Sequence, residues 1–441
     1  MTHAAENTSF SGGSLAVLLL SVSTVAAGYG IVLPILPLML QAIDGPNATA
    51  AVARHTGLLT ALHALALFLF APLWGWLSDR QGRRPILIIG LIGFGISLLV
   101  SSLKPSIGLL YTERFLTGAF AAAITPVAAA VIADQGGSDE WRARHLTWVS
   151  MAGISGFLLG PMLSGSLAAL SSVSSSTEAG ARQSYEFPFF VIASIALVAA
   201  LAVRLWIPNQ VSKPTLQAPA SAPSLDSNSQ TIWMLRAVSF IVAAGVGTFE
   251  VGIALRGNQD LGMDPRQVAL MFTTCSLVMF LVQAAVFSPI VKPRSTRWFI
   301  APALVVMAVA LFLVPRTSEF TALIVIVAVV AASAGVVSPI LTYWVSLESG
   351  HSKGAELGKQ TAVTSLGQAL GSFAGGWLFA STVIPAPSFV LTAIMLASAA
   401  FACRGLPERL GYERATTDSP TPGKALSSRS PPGAGQKQEF L

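Results

Sequence analysis

Residues 75–85 read Gly75-Trp76-Leu77-Ser78-Asp79-Arg80-Gln81-Gly82-Arg83-Arg84-Pro85 and join two long apolar runs. The run before them, 56–74, contains one histidine but no Asp, Glu, Lys or Arg, and the run after them, 86–103, contains no charged residue. Each run is long enough to cross a bilayer as a helix, which takes roughly 18 or more apolar residues. The eleven residues between the runs predict a turn between two antiparallel helices, and their three arginines place that turn on the cytoplasmic side.

The composition of the chain is typical of a membrane protein. Hydrophobic residues make up 53% of the 441 residues and charged residues only 10%, whereas soluble domains have about 25% charged residues. The net charge of +6 is spread over predicted loops and the C-terminal tail, so membrane topology explains it better than a nucleic-acid partner does. Cys275 and Cys403 lie in apolar runs without a metal-ligand pattern. We therefore expect two free thiols, no metal and no cofactor.

Hydropathy predicts an all-α protein with twelve membrane-spanning helices. The predicted spans are 14–40, 56–75, 86–103, 107–133, 144–169, 187–207, 232–255, 267–291, 297–315, 319–344, 359–381 and 385–404. Lys and Arg are about three times as frequent in the turns after even-numbered helices and in the tail as in the other turns. This asymmetry predicts a multi-pass protein of the cell's inner (plasma) membrane with both termini in the cytoplasm.

The chain divides into two predicted halves of six helices each, residues 14–207 and residues 232–404. Residues 208–231 between them are rich in Pro, Ser, Ala and Gln, which indicates a flexible cytoplasmic linker. Residues 1–13 are the predicted cytoplasmic N-terminus. Residues 405–441, rich in Pro, Ser and Gly, are predicted to be a disordered cytoplasmic tail.

The stretch 75–85 resembles the signature G-x-L-x-D-R-x-G-R-R/K, which joins helices 2 and 3 in the major facilitator superfamily. An ordinary basic anchoring loop is the alternative, but the fixed spacing of Gly, Asp, Gly and Arg favours the family. The resemblance implies two pseudo-symmetric bundles of six helices, built from inverted three-helix repeats. It also implies that Arg83 pairs with Asp134, while Asp79 faces the N-terminal end of helix 11. The implied cytoplasmic gate, which stabilises the outward-open state, comprises Gly75, Asp79, Arg80, Gly82, Arg83, Arg84 and Asp134.

Predicted helix 1 contains prolines at positions 34 and 37. Prolines inside a helix leave backbone groups unpaired and bend the helix, so a simple kink is one explanation. The spacing G-x5-P-x-x-P, starting at Gly28, also resembles the helix 1 signature of the twelve-helix drug:proton antiporter branch, which includes tetracycline-efflux and multidrug proteins. This resemblance implies that Tyr29 lies in the substrate cavity.

Predicted helix 4 carries Glu113 and Arg114 two turns inside an apolar run. A full charge at this depth is costly unless it is paired or hydrated. Arg114 either extends toward the outer surface or, together with Gly118, resembles the family signature R-x-x-x-G, in which the arginine faces the core and is associated with proton transfer. Because Glu113 is adjacent in sequence, we expect it to point elsewhere, toward the outer interface.

Predicted helix 5 matches the antiporter signature G-x-x-x-G-P-x-x-x-G at Gly156, Gly160, Pro161 and Gly165. Glycines four residues apart also make a flat face for close helix packing, whatever the function. The resemblance implies export rather than uptake and makes this segment the antiporter hinge. Helix 11 has a related glycine face, so we expect helices 5 and 11 to be symmetry mates that slide during alternating access.

Three further polar residues in apolar runs are candidates for a proton or substrate site. Glu250 in predicted helix 7 is well placed to bind and release protons, although it could instead be hydrated near Arg256 at the outer boundary. His63 in predicted helix 2 titrates near neutral pH, but a membrane histidine often does no more than bond a neighbouring helix. Gln283 in predicted helix 8 is a candidate polar residue of the cavity.

The sequence favours proton-coupled efflux, by antiport, of small and partly apolar molecules or drugs. The alternatives are a dedicated exporter of one endogenous metabolite, such as a sugar or a siderophore-like compound, and a non-transporting membrane sensor with the same fold. Tetracycline exporters have acids near the positions of Val25 and Ser97, which argues against tetracycline itself. No helix contains H-E-x-x-H, G-x-S-x-G or paired acids, so we expect no enzyme. The expected partners of this monomer are a small molecule, protons and the lipid bilayer, not nucleic acid.

Overall fold

The computed structural model describes residues 11–45, 47–103, 106–135, 139–174, 178–208, 228–286, 293–348, 353–381 and 387–406. Within these ranges every regular element is a helix, and no β-strand occurs. The long helices are α1 (Gly12–Asp44), α2 (Thr49–Gln81), α3 (Arg83–Leu103), α4 (Ile107–Ala133), α5 (Asp139–Ser174), α6 (Glu178–Trp206), α7 (Asn228–Leu255), α8 (Pro265–Val286), α9 (Ile300–Leu313), α10 (Phe320–Glu348), α11 (Lys353–Ser381) and α12 (Pro387–Ala402).

Among the described residues, eleven helical segments are long and apolar enough to cross a membrane. The remaining long helix, α11, begins with polar residues and packs against α2 and α7 through a face rich in glycine and serine. Its lower hydropathy follows from that position, because small residues replace large apolar ones where helix backbones meet. The protein is therefore an all-α polytopic membrane protein, as its composition predicted.

The junction between α2 and α3 differs from the prediction. α2 continues to the residue before Gly82, and α3 begins at the residue after it, so the predicted turn over 75–85 is wrong. Gly82 has a φ of +95°, which favours glycine, and its N–H donates to the Ser78 carbonyl oxygen at 3.1 Å. The polar residues before it remain helical, because side chains four apart support one another. The Arg80 guanidinium lies 4.0 Å from the ring centre of Trp76.

The helices run alternately between two ends of the bundle. One end, called here the Gly82 end, carries the last residues of α2, α4 and α6. The other, called the Gly45 end, carries the last residues of α1, α3, α5 and α7. At the Gly45 end, α7 continues into a π-helical segment, Arg256–Asp260. Helix α4 contains an irregular turn at residues 122–123, between two α-helical parts.

Buried side chains form two clusters, one drawn mainly from α1–α6 and the other mainly from α7–α12. Helix α7 begins at Asn228, inside the segment predicted as a linker. Residues 1–10 and 407–441, which make up most of the two predicted terminal segments, lie outside the described part of the chain, as do residues 209–227 of the predicted linker. The predicted domain boundaries stay predictions.

Helix α5 packs along α1 in the same way as α11 packs along α7. A Cβ atom on Gly156 of α5 would lie 2.1 Å from the Ser23 carbonyl oxygen of α1. A Cβ atom on Gly371 of α11 would lie 2.0 Å from the Ala244 carbonyl oxygen of α7. Both distances are too short for any side chain, so glycine permits the backbones to touch. The two contacts have the symmetric arrangement that the glycine patterns predicted.

The other predicted hinge residues also lie in α5. A Cβ atom on Gly160 would lie 2.7 Å from the Ala27 carbonyl oxygen of α1, which makes this a second point of backbone contact. Pro161 follows inside the helix. The surroundings of Gly165 lie outside the described part of the structure. These contacts bring the middle of α1, which carries Tyr29, close to the centre of the bundle.

Candidate transport site

Glu250 lies in the centre of the bundle, where two uncharged side chains bind its carboxylate. The Tyr29 hydroxyl of α1 donates to Glu250 Oε2 at 2.7 Å. Gln368 Nε2 of α11 donates to the same oxygen at 3.2 Å and to the Tyr29 hydroxyl at 3.0 Å. Only 6% of Glu250 is exposed. One carboxylate oxygen therefore links α1 of the first helix bundle to α7 and α11 of the second.

The Tyr29 ring stacks with two other rings next to this carboxylate. Its centre lies 5.1 Å from that of His63 in α2 and 5.9 Å from that of Phe157 in α5, with interplanar angles of 25° and 26°. Stacked rings at such distances attract each other and present flat apolar faces. Tyr29 and His63, both predicted from the sequence, therefore lie together in one aromatic group with Phe157.

A cavity of about 320 Å³ opens beside these rings. Most of its walls come from α1, α2, α4 and α5, and many of its lining residues are aliphatic. Its aliphatic residues include Val22, Val25, Leu67, Val149 and Ile154, and its polar residues include Tyr29, His63 and Gln368. Mostly apolar walls with a few convergent polar groups are typical of small-molecule sites. The cavity extends from Tyr29 toward the Gly82 end, where α1 and α5 begin.

Glu113 and Arg114 form an ion pair in α4, where each residue is 3% exposed. Arg114 Nε donates to Glu113 Oε2 at 2.6 Å, and a terminal nitrogen of Arg114 donates to the other carboxylate oxygen. The expectation that Glu113 points to the outer interface is therefore wrong. Neighbouring helix residues diverge, but both side chains are long enough to fold together. Pairing offsets the cost of burying either charge alone.

Gly118 brings α4 into contact with α2 beside His63. A Cβ atom on Gly118 would lie 2.4 Å from the His63 carbonyl oxygen, so the two backbones touch there. The His63 ring nitrogen Nδ1 lies 3.4 Å from Thr117 Oγ1. The R-x-x-x-G pattern thus places the arginine near the central aromatic group.

The positions of two further residues bear on the alternatives from the sequence. Arg256 does not pair with Glu250, because its guanidinium binds the Thr317 carbonyl oxygen at 3.0 Å and Asp260 at 3.3 Å. Gln283 is buried, with 6% exposed, but it is not among the residues that line the cavity. Its role as a cavity residue stays a prediction.

Sequence reasoning missed two residues of this site, Gln368 and Phe157. A signal for Gln368 was available, because it is a lone amide between Gly367 and Gly371 on the glycine face of α11. The same reasoning selected Gln283 instead. Phe157 had no signal, since the chain contains 23 phenylalanines and only its position distinguishes this one.

At the Gly82 end, Arg83 is the centre of a polar cluster. Its Nε donates to Asp134 at 2.9 Å and a terminal nitrogen donates to Ser78 Oγ at 2.7 Å. The Arg83–Asp134 contact is the one that the family signature implied. Asp79 also pairs with Arg83, and 63% of its side chain is exposed. Among the described residues, Asp79 therefore binds within its own helix bundle and not to α11.

The other predicted gate residues do not contact the second helix bundle in the described part of the chain. Arg84 donates to the Arg204 carbonyl oxygen at the end of α6. Arg80 lies over Trp76 within α2. A Cβ atom on Gly75 would have nothing within 4 Å. The gating role of these residues stays a prediction, since the Gly82 end is not closed by them here.

At the Gly45 end, by contrast, the two bundles are in direct contact. Gln41 Nε2 of α1 donates to Asn258 Oδ1 at 2.5 Å, and Gln259 Nε2 donates to the Thr49 carbonyl oxygen at 3.1 Å. Both partners on the second bundle belong to the π-helical segment after α7. Segments of this kind are frequent at functional sites. Together with the open cavity at the other end, these contacts describe a helix bundle that is closed at its Gly45 end.

A model described as Major Facilitator Superfamily matches residues 18–356 and 237–433 of this chain. The chain belongs to this superfamily. The family prediction from residues 75–85 is therefore confirmed, and so is the prediction that the protein is not an enzyme, because superfamily members are transporters.

Relatives of this superfamily transporter include drug-resistance proteins. Multidrug resistance protein 2 of Bacillus subtilis (strain 168) is 26% identical over 371 residues, which cover 82% of this chain and 88% of that protein. Quinolone resistance protein NorA of Staphylococcus aureus (strain COL) is 24% identical over 383 residues, which cover 86% of this chain and 93% of that protein. The predicted relation to the drug-efflux branch is thus confirmed.

Solved structures share the fold at low sequence identity. A D-xylose-proton symporter superposes with a TM-score of 0.72 at 14% identity, over 89% of this chain and 97% of the other. An inward-facing, unoccupied bacterial homolog of the human lysosomal transporter Spinster superposes with a TM-score of 0.70 at 18% identity, over 90% and 97%. These likenesses show the superfamily fold alone.

Proposed function

We propose that this transporter exports small, partly apolar compounds in exchange for protons and that Glu250 binds the proton. The observation that carries the proposal is the hydrogen-bonded group of Glu250, Tyr29 and Gln368 at the end of a largely aliphatic and aromatic cavity. The relatives named for multidrug and quinolone resistance support a drug-like substrate.

Protonation of Glu250 can act on both helix bundles at once. As a carboxylate, its Oε2 accepts from the Tyr29 hydroxyl and the Gln368 amide. Hydrogen bonds to an ionised acceptor are roughly twice as strong as neutral ones. A bound proton would therefore weaken the link that joins α1 to α7 and α11, and its release would restore the link.

Substrate and proton would compete for one group of residues. The cavity is lined by Tyr29, His63 and Gln368, and two of these three hold Glu250 or its partner in place. A bound compound that stacks on the Tyr29 ring and holds its hydroxyl against Glu250 would stabilise the ionised carboxylate. Loading of substrate would then favour release of the proton, which is the competition that an exchanger requires.

Rocking of the two bundles around this site would expose the cavity to one end at a time. Because the Gly82 end carries several arginines, we propose that it faces the cytoplasm in the inner membrane, on the same side as both chain termini. Arg83, Asp134 and Asp79 belong to the proposed cytoplasmic gate. Gly156 and Gly160, where α5 touches α1, belong to the proposed hinge.

The test uses everted membrane vesicles with an imposed proton gradient. A panel of amphipathic compounds is added, and proton release is recorded with a pH-sensitive dye for the wild type and for Glu250→Gln. We expect compounds such as ethidium to dissipate the gradient in the wild type and to have no effect in Glu250→Gln, because an amide cannot bind and release a proton in this pH range.

The matched control is Glu319→Gln, which removes an exposed acid before α10 and should leave the response unchanged. If Glu250→Gln responds like the wild type, Glu250 is not the proton carrier and the proposal fails. If no compound acts on the wild type while one endogenous metabolite does, drug export fails and a dedicated exporter replaces it.

A further inference from the structure

Gln368 is the residue through which the central hydrogen-bonded group meets the cavity. Its Nε2 donates to the Tyr29 hydroxyl at 3.0 Å and to Glu250 Oε2 at 3.2 Å, and its half-buried side chain also lines the cavity. Its Oε1 remains accessible and has no hydrogen-bond partner among the residues that the structure describes. This carbonyl oxygen is therefore available to a compound in the cavity.

The two neighbours of Gln368 decide which end of its amide faces them. An ionised carboxylate can only accept hydrogen bonds, so Glu250 requires a donor. The single hydrogen of the Tyr29 hydroxyl points to Glu250 at 2.7 Å, so this hydroxyl accepts from Gln368. Both neighbours therefore bind the NH2 group, and the network directs the carbonyl oxygen away from them.

The backbone of α11 holds Gln368 close to α7, the helix that carries Glu250. A Cβ atom on Gly247 of α7 would lie 2.4 Å from the main-chain carbonyl oxygen of Gln368. One on Gly371 of α11 would lie 2.0 Å from the Ala244 carbonyl oxygen of α7. Backbones in such close contact resist sliding past each other. The amide therefore keeps its position beside the carboxylate.

We propose that Gln368 determines the hydrogen-bonding specificity of the cavity: while Glu250 is ionised, Gln368 presents its carbonyl oxygen and accepts an N–H group of the bound compound. The proposal deepens the function proposed above and rests on it. Once Glu250 takes up a proton, its own O–H can donate to Gln368 Oε1, and the amide can turn its NH2 group to the cavity. Binding of an N–H compound and protonation of Glu250 then disfavour each other, as exchange requires.

The test measures binding of a matched pair of fluorescent dyes to the purified protein in lipid nanodiscs. Rhodamine 6G and tetramethylrhodamine ethyl ester share the xanthylium ring, the ethyl ester and the single positive charge, but only rhodamine 6G has N–H groups. Fluorescence polarisation gives both dissociation constants, with empty nanodiscs as the blank. For the wild type in mildly alkaline buffer we expect rhodamine 6G to bind about fivefold more tightly, which corresponds to one neutral hydrogen bond.

Two variants separate the carbonyl oxygen of Gln368 from its orientation. Gln368→Met keeps the length of the side chain but removes the acceptor, so the two dyes should bind equally. Glu250→Gln should also reduce the preference for rhodamine 6G, because the new amide supplies donors of its own and no longer requires the NH2 group of Gln368. The matched control is Gln360→Met in the same helix, whose amide donates to Ser239 Oγ at 2.5 Å and does not line the cavity. It should keep the wild-type preference.

A purely structural role for Gln368 would weaken the binding of both dyes alike and would leave their ratio unchanged. Equal binding of the two dyes by the wild type overturns the proposal, and so does a preference that persists in Gln368→Met. If Gln368→Met does not accumulate, Glu250→Gln decides instead, and a preference of wild-type size in that variant overturns the proposal.

The vesicle assay of Glu250→Gln tests the underlying function separately. If Glu250→Gln retains proton release, the proposed function fails, and the coupling of Gln368 to protons fails with it. If Glu250→Gln abolishes proton release while the wild type binds both dyes equally, only the role of Gln368 fails.

Discussion

Two glycines on one face of α2 have opposite surroundings. Gly57, near the Gly45 end, would place a Cβ atom 2.8 Å from Gly376 Cα and 2.8 Å from the Ser372 carbonyl oxygen, both in α11. Gly75, near the Gly82 end, would place one in open space. The two glycines are 18 positions apart, which is about five helical turns or 27 Å, so they share a face. Helix α11 therefore touches this face at one end and leaves it at the other.

This difference shows that a single conformation explains only some of the residues in a sequence signature. Gly75 begins the family motif, but nothing in the present arrangement requires glycine there. In an alternating-access transporter the two ends exchange roles, so the flat surface at Gly75 is needed when the Gly82 end closes. The exposure of Asp79, at 63% of its side chain, agrees with an open Gly82 end.

The largest expected effect comes from Gly57→Val. The new side chain would overlap the α11 backbone, so the Gly45 end could not close and ethidium-driven proton release should be lost. A single reporter cysteine, Ser150→Cys on the cavity wall, is introduced into a chain that also carries Cys275→Ser and Cys403→Ser. Its labelling by an impermeant maleimide from the Gly82 end should also fall in Gly57→Val. Gly108→Val, where nothing lies within 4 Å, is the matched control. Full activity of Gly57→Val would show that the contact is dispensable.

Gly75→Val should reduce transport less than Gly57→Val does, and it should not decrease the labelling of Ser150→Cys. The present conformation accommodates the new side chain, so the protein should fold and Ser150→Cys should label at least as fast as in the parent. Closure of the Gly82 end should be hindered, and proton release should fall roughly tenfold if closure is opposed by about 1.4 kcal/mol. Unchanged transport would mean that Gly75 does not contact α11 in any conformation. The conclusion that the two ends of α2 exchange roles would then be wrong.

Gln41→Ala should have the smallest effect. It removes one neutral hydrogen bond, from Gln41 Nε2 to Asn258 at 2.5 Å, worth about 1 kcal/mol, which corresponds to roughly a fivefold change in the population of the closed Gly45 end. Ser150→Cys labelling from the Gly82 end should slow accordingly. The control is Gln135→Ala, whose amide donates to the Val131 carbonyl oxygen in the last turn of α4, within the same helix bundle. An effect as large as that of Gly57→Val would mean that hydrogen bonds, not backbone contact, close this end.

Most of the architecture could be predicted without coordinates, because the bilayer restricts what an apolar run can do. A run such as 86–103 must be helical when it crosses hydrocarbon, since its backbone groups find no other partners there. Helix ends were harder to predict. Residues 78–81 are polar and belong to the predicted turn, yet they continue α2, because polar residues at a membrane surface can form either structure.

Several residues of the candidate site stood out in the sequence one by one, but their connections did not. Glu250, Tyr29, His63 and Arg114 each stood out as a polar or aromatic residue in an apolar run. Their grouping depends on how α1, α2, α4 and α7 pack, which no local pattern describes. The position of Glu113 is the clearest failure. Helical geometry alone directs it away from Arg114, and only the apolar surroundings of both side chains explain why they pair.

The sequence by itself determined the membrane class, the helical architecture and the family, because hydropathy and motif spacing are local properties. Only the tertiary structure decided that Glu250 is bound by Tyr29 and Gln368, that Glu113 neutralises Arg114, and that the chain is closed at its Gly45 end. The first depends on side chains that are far apart in sequence, the second on the apolar surroundings that neighbouring helices create, and the third on a choice between conformations of similar free energy. That choice depends on how the two helix bundles meet.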